Sequence, residues 1–177
     1  MPVIIRAATP ADATAVAAVA AITFPLACPP HTTDEAKAAF IAGNLTLDHF
    51  QRYIDDDRRD VLVAEVDGDI VAYVMLVVGD PADPDVAAAI TVRPTIELSK
   101  FYVLPGQHGN GLAAQLMQGA VVRASERRAS GIWLGVNDEN ARANRFYEKN
   151  GFVVVGRKSF HLGGAIESDF VRERVLA

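Results

Sequence analysis

Apolar and polar positions along the chain switch between two periods, and the switches mark the elements. Val3 to Arg6 is apolar and β-branched, which predicts a short first strand. Thr9-Pro10-Ala11-Asp12 carries the marks of a helix start: Thr as N-cap, Pro at the first helical position, and Asp meeting the open N–H groups. The Ala- and Val-rich run to Phe24 is the first helix, followed by a Pro-rich turn from Phe24 to His31. Thr32 with Glu35 reads as a capping box opening a second helix that ends at Gly43. Thr46 caps a third, Leu47 to Ile54, with Leu47, Phe50 and Ile54 on one apolar face. The period then shortens. Val61 to Val66 and Ile70 to Val78 are strand-like, and Asp67-Gly68-Asp69 between them is a hairpin signal, so an antiparallel meander is expected.

Gly79 to Pro94 is a polar loop, long enough to be a candidate lid over a substrate site, with plain solvent exposure as the alternative. Ile96 to Val103 is the next strand, stopped by Pro105-Gly106. From Leu112 on, Leu112, Leu116 and Ala120 recur at helical spacing, with Ala113, Met117 and Val121 beside them. Ile132 to Val136 is a further strand, and a second helical stretch runs through Tyr147. Phe152 to Gly156 and Ser168 to Leu176 read as the last two strands, with Ser159 to Ala165 between them.

His108-Gly109-Asn110-Gly111-Leu112-Ala113-Ala114 joins a strand to a helix. Its two glycines let the backbone curl so that several N–H groups converge, and the positive end of the helix dipole points to the same spot. That is the chemistry of a phosphate cradle, although an ordinary tight turn has the same appearance. No Gly-Lys-Ser/Thr follows, so the segment is not a P-loop. The dinucleotide fingerprint is formally matched by Gly109, Gly111 and Ala114, but Val103 to His108 intervenes where the glycines should follow the strand directly. Glu126, the nearest acidic candidate for a ribose, lies inside the helical pattern rather than at the end of a second strand.

A second segment, Asn140 to Phe152, changes the picture. Here the chain resembles the GNAT superfamily of acyl-CoA-dependent N-acyltransferases, whose motif Q/R-x-x-G-x-G/A reads His108-Gly-Asn-Gly111-Leu-Ala113. The companion motif N-x-x-A-x-x-x-Y-x-x-x-G-F is matched at Asn140, Ala143, Tyr147, Gly151 and Phe152, and the two lie in the right order over the C-terminal half. His108 departs from the usual Gln or Arg. The resemblance implies one GNAT-like domain over residues 1–177. Its α/β (α+β) fold has a mixed, mostly antiparallel central sheet of six to seven strands with helices on both faces, and its central strands splay apart. It also implies acetyl-CoA as the acetyl donor. Phe101, Tyr102 and Val103 would lie along the pantetheine arm, and Gly109, Asn110, Gly111, Leu112, Ala113 and Ala114 would hold the pyrophosphate. An unpaired strand edge must find partners somewhere, which is the physical support for that placement.

N-acetyl transfer needs a proton taken from an amine, an oxyanion stabilised, and a thiolate protonated as it leaves. Tyrosine, with a pKa of about 10, is protonated at neutral pH and can donate. The resemblance gives Tyr147 the general-acid role and Asn140 a hydrogen bond to the pantetheine or an ordered water; their seven-residue separation puts both on one face of a helix. Several family members carry a glutamate at the place of Glu97 that takes the amine's proton. Glu97 precedes Val103 by six residues, so on a regular strand both share one face, and a bulge would break that parity. A carboxylate of ordinary pKa matches an amine poorly, so burial or a relay is required. A rim carboxylate that only attracts a cationic acceptor is the alternative role.

Composition narrows the partners. Half of the 177 residues are apolar, enough for a substantial core. A net charge of −5 argues against nucleic acid or an anionic membrane as partner. The N-terminus has no signal-peptide pattern and no apolar stretch reads as a membrane span, so a cytoplasmic protein is expected. The single cysteine, Cys28, allows no internal disulfide, and His31, His49, His108 and His161 show no metal-ligand spacing, so no metal is expected. The tail from Gly156 through Leu162-Gly163-Gly164 to Asp169 is similar to bacterial polyamine (spermidine/spermine) acetyltransferases of the PaiA type. A small-molecule amine, polyamine-like, is therefore the favoured acceptor, ahead of a protein N-terminus or lysine. A non-catalytic acyl-CoA-binding sensor is the other class. Some members of the family pair through edge strands or helices, so a homodimer is compatible with the family.

Overall fold

A computed structural model of the chain describes residues 2–177. The strands are β1 (Val3–Ala7), β2 (Arg59–Val66), β3 (Asp69–Val78), β4 (Thr95–Val103), β5 (Gly131–Asn137), β6 (Val153–Leu162) and β7 (Ala165–Val175). The helices are α1 (Ala13–Ala27), α2 (Asp34–Asn44), α3 (Leu47–Asp55), α4 (Pro84–Ala89), α5 (Leu112–Glu126) and α6 (Ala141–Lys149), with a single 3-10 turn at Pro10–Asp12. One seven-stranded sheet runs in the order β1-β2-β3-β4-β5-β7-β6. Every pairing is antiparallel except β4 with β5.

Both sheet faces are covered, and strand alternation sorts the side chains between them. Leu62, Ala64, Ala72, Val74 and Leu76 point to the face under α5, where Leu112, Leu116, Met117 and Ala120 meet them. Val63 and Tyr73 point to the other face, against Val16, Ala20 and Phe24 of α1 and Phe50 of α3. Val86 of α4 and Ile90 just after it pack on Trp133 of β5 and Val171 of β7. Each fully buried Leu or Phe contributes about 1.5–3 kcal/mol.

The element that shapes the site is β4. Met75 opposes Lys100 but Leu76 opposes Leu98, so Ser99 is an extra residue and β4 carries a bulge. A bulge bends and twists its strand. β4 pairs with β5 only through Thr95–Gly131, Ile96–Ile132 and Glu97–Trp133, and beyond Glu97 the two strands part. The bulge also corrects the parity expected for Glu97. Ile96, Leu98, Phe101 and Val103 turn to the α5 face, while Tyr102 packs on the α1 face and Lys100 Nζ lies 5.9 Å from the Tyr53 ring of α3. Glu97 therefore shares its face with Lys100 and Tyr102, and not with Val103.

Other local expectations shift in the same way. α1 continues through Pro25 to Ala27 instead of ending at Phe24; Pro25 gives up the bond its N–H would make to the Ala21 carbonyl, and buried Thr23 and Phe24 hold the turn on the sheet. Thr33, not Thr32, caps α2, its hydroxyl accepting from Ala36 N at 3.1 Å, and α2 runs one residue past Gly43. The capping reading at Thr46 is matched, with His49 completing the box. The Gly79 to Pro94 segment contains α4, and none of its residues lines the cavity described below, so it is no lid. Ser159 to Leu162 belongs to β6, and the hairpin to β7 turns on Gly163-Gly164. Finally, Pro10–Ala27 is an 18-residue helical stretch of mean hydropathy 1.4, long and apolar enough to cross a membrane by those criteria alone. Here its Ala and Val face lies on the sheet, burying Ala13, Val16, Val19 and Ala20.

Candidate active site

Where β4 leaves β5, a cavity of about 1040 Å³ opens. One half lies between the outer end of β4 and α6; the other lies under α1 and the β6–β7 hairpin. Of the residues singled out from sequence, Glu97, Phe101, Tyr102, Val103, His108, Gly109, Gly111, Ala113, Asn140 and Tyr147 all line it. Asn110, Leu112 and Ala114 do not. The Leu112 side chain is core, and Asn110 Oδ1 instead accepts from Leu112 N at 3.1 Å, bracing the turn into α5.

The cradle has the backbone that its glycines permit. Gly109 and Gly111 sit at φ +87° and +80°, left-handed values that other residues adopt only with strain. Ala113 and Ala114 open α5, so their N–H groups have no helical carbonyl to reach. His108 is exposed, and slight burial together with the cation of Arg142 holds its imidazole below the usual value, hence neutral at pH 7. Arg142 and Lys149 of α6 line the cavity, two cations that no motif signalled.

α6 begins at Ala141, so Asn140 stands just outside it as the N-cap, its Oδ1 accepting from Ala143 N at 3.1 Å. Asn144 pins this junction, donating to the carbonyls of Asn137 and Asn140 and accepting from Arg172 Nε. The Tyr147 ring is wedged among Phe101, Phe146 and Phe152. Burial, and then Tyr102, push its hydroxyl well above the ordinary tyrosine value, so it stays protonated.

The other half of the cavity collects charges from distant segments. Burial lifts the Glu97 carboxyl above its ordinary 4.5 against the pull of Lys100, Lys158 and Arg59. Burial lowers the Lys100 ammonium, opposed by Glu97. Tyr102 is pushed up to about 12 by burial, then by Cys28 and Asp169. On the hairpin, Lys158 Nζ lies 3.7 Å from Asp169 Oδ2, and Glu167 Oε1 lies 2.6 Å from His31 Nε2. His31, Glu139 and Glu167 bring ligand-capable atoms within 4.8 Å of one another, a grouping that linear spacing does not reveal. Lys100, Lys158 and Glu167 were not anticipated as cavity residues, since only the β4 bulge and the hairpin register bring them there.

Residues 25–152 match the acetyltransferase (GNAT) family. An uncharacterized N-acetyltransferase of Mycobacterium tuberculosis H37Rv is 47% identical over 165 residues, covering 93% of this chain and 98% of the relative. The streptothricin acetyltransferase of Streptomyces lavendulae is 32% identical over 116 residues, 65% of this chain and 56% of the relative. The crystal structure of the PaiA N-acetyltransferase of Thermoplasma acidophilum in complex with coenzyme A has the same fold, with a TM-score of 0.79 at 18% identity, covering 99% of this chain and 100% of that one. With its family match, its near full-length relative, its splayed β4 and β5 and its glycine cradle, the chain belongs to the acetyltransferase (GNAT) family and is an N-acetyltransferase.

Proposed function

We propose that the enzyme moves the acetyl group of acetyl-CoA to a primary amine of a small molecule, by direct attack with both substrates held in the cavity. The observation that carries this reading is the free edge of β4 beyond Glu97, which opens into the same cavity as the glycine cradle, Tyr147 and Glu97. The backbone from Leu98 to Val103 offers on its β5 side the N–H and C=O groups that a pantetheine amide can pair with. The curled amides from Gly109 to Ala114, apart from Leu112 whose N–H Asn110 already holds, suit a pyrophosphate, and Arg142 and Lys149 supply the charge that neutral His108 does not.

Glu97 accepts the proton lost by the amine as its nitrogen forms the new C–N bond. Tyr147 donates its proton to the sulfur as the C–S bond breaks. Cys28 also lines the cavity, but burial raises its thiol and Lys37 only partly opposes this, so little thiolate is present to carry an acetyl group. That favours direct transfer over a covalent relay. The polyamine-like acceptor suggested by the tail finds carboxylates in Glu97, Glu167 and Asp169, but Lys100 and Lys158 stand in the same chamber and repel a second cationic centre.

The test is thiol release from acetyl-CoA with a panel of amines, with Tyr147→Phe and Cys28→Ala alongside. Turnover with intersecting initial-velocity lines, retained in Cys28→Ala and lost in Tyr147→Phe, is the expected result. Parallel lines with loss of activity in Cys28→Ala would replace direct attack by a covalent relay. Tight acetyl-CoA binding with no turnover of any amine would turn the reading to a binding module.

A further inference from the structure

Asp169 is a buried carboxylate with one oxygen left unused. It lies in β7 opposite Asn137 of β5 and Lys158 of β6, is 7% exposed, and lines the cavity. Lys158 engages Oδ2 alone, at 3.7 Å, whereas Oδ1 is buried without a hydrogen-bond partner among the described residues. The stem of Lys158 is laid across Gly135, where a Cβ would stand 2.6 Å from Lys158 Cε and 3.4 Å from Asp169 Oδ2. Buried carboxylate oxygens normally have donors, and one that lacks them destabilises the fold unless something that enters the site supplies the donor.

The surroundings of this oxygen describe the molecule that supplies it. Phe24 and Phe40 stack at 4.3 Å, Phe160 meets Phe40 edge-on at 5.9 Å, and all three line the cavity. An apolar or aromatic body packs well on such a wall. Lys100 and Lys158 disfavour further positive charge.

We propose that the Asp169 carboxylate receives the ammonium of the acceptor, and that the acceptor is a monocationic primary amine whose apolar or aromatic body rests on Phe24, Phe40 and Phe160. This rests on the transferase reading above. Asp169 binds and orients the ammonium; one proton leaves to solvent through the open cavity to free the nitrogen lone pair, and Glu97 takes the second as the C–N bond forms while Tyr147 protonates the departing sulfur.

The experiment compares phenethylamine with spermidine as acceptors for the parent enzyme, Asp169→Asn and Asp169→Glu, with the acetyl-CoA Kd measured for each. The expected result is a higher kcat/KM for phenethylamine than for spermidine in the parent. Asp169→Asn should raise the phenethylamine KM by about tenfold or more, as loss of a charged hydrogen bond does, leaving the acetyl-CoA Kd unchanged. Asp169→Glu should recover part of that loss. A preference for spermidine, an unchanged KM in Asp169→Asn, or acetyl-CoA binding without turnover of phenethylamine would each overturn the inference. The parent comparison stands even if the variants fold poorly. Failure of the parent to bind acetyl-CoA would instead overturn the transferase reading on which it rests.

Discussion

Glu97 opposes Trp133 on the last rung that β4 shares with β5. The two residues mark the fork of the sheet. Below them the strands are paired core; above them β4 has a free edge, and the bulge at Ser99 turns Lys100 and Tyr102 to the same side as Glu97. The carboxylate is thus half-buried where the cavity begins.

Glu97→Gln should erase the acid limb of the rate profile. Burial raises the Glu97 carboxyl above 4.5, so the group is protonated below that raised value and accepts a proton only above it. In the parent, kcat/KM should therefore fall as pH drops through a pKa higher than 4.5, and the Gln variant should be slower by about 10²–10⁴-fold with that limb gone. A limb that persists in the variant assigns the titration to another group.

Tyr147→Phe keeps the ring that packs on Phe101 and Phe152 and removes only the hydroxyl. Its kcat should fall about 10²–10⁴-fold while the acetyl-CoA Kd and the melting temperature stay near the parent values. Acyl donors with a more acidic thiol should narrow the gap, since a better leaving group needs less protonation. A uniform loss across donors would mark a packing role.

Gly111→Ala places a side chain at φ +80°, costing roughly 1–2 kcal/mol of backbone strain although no atom lies within 4 Å of the added Cβ. For a chain of this size that lowers the Tm by about 2–8 °C. Acetyl-CoA binding should weaken as well, because a relaxed loop no longer aims its amides inward. Calorimetric titration reads the binding, and an unchanged Kd would remove the cradle from the site.

His31 ties the segment between α1 and α2 to the hairpin, and its effect should depend on pH. The Glu167 hydrogen bond and charge raise its imidazole above 6.5, with Glu139 adding to the shift. A raised folded-state pKa means a stabilising contribution that is complete below the unfolded value near 6.5 and is lost as pH rises through the folded one. His31→Ala should lower the urea midpoint at pH 5.5 and differ much less from the parent at pH 9. Equal losses at both pH values would show that the contact does not depend on the charge.

What could be read directly from the sequence was local. The Asp67-Gly68 hairpin, the Thr46 cap and the cradle glycines depend on backbone chemistry within a few residues, and both motifs are contiguous. Alternation along β2 and β3 likewise reports two covered faces, since neighbouring side chains must point opposite ways. Where two local signals competed, as between Thr32 and Thr33 at the start of α2, or at Pro25, packing decided the outcome.

The parts that give the cavity its chemistry are tertiary. The parity of Glu97 failed because one extra residue in β4, visible only against β3, reverses every later side chain. His31 meets Glu167 across 136 positions, and Lys158 and Asp169 meet over Gly135 through strand register. Local periodicity carries no information about such pairings, because register is set by which faces are buried and how the strands bend. The sequence by itself determined the family, the glycine turn before α5 and the tyrosine of the second motif, because each depends on contiguous residues; only the folded sheet decided which charges share the cavity and which carboxylate oxygen is left without a partner.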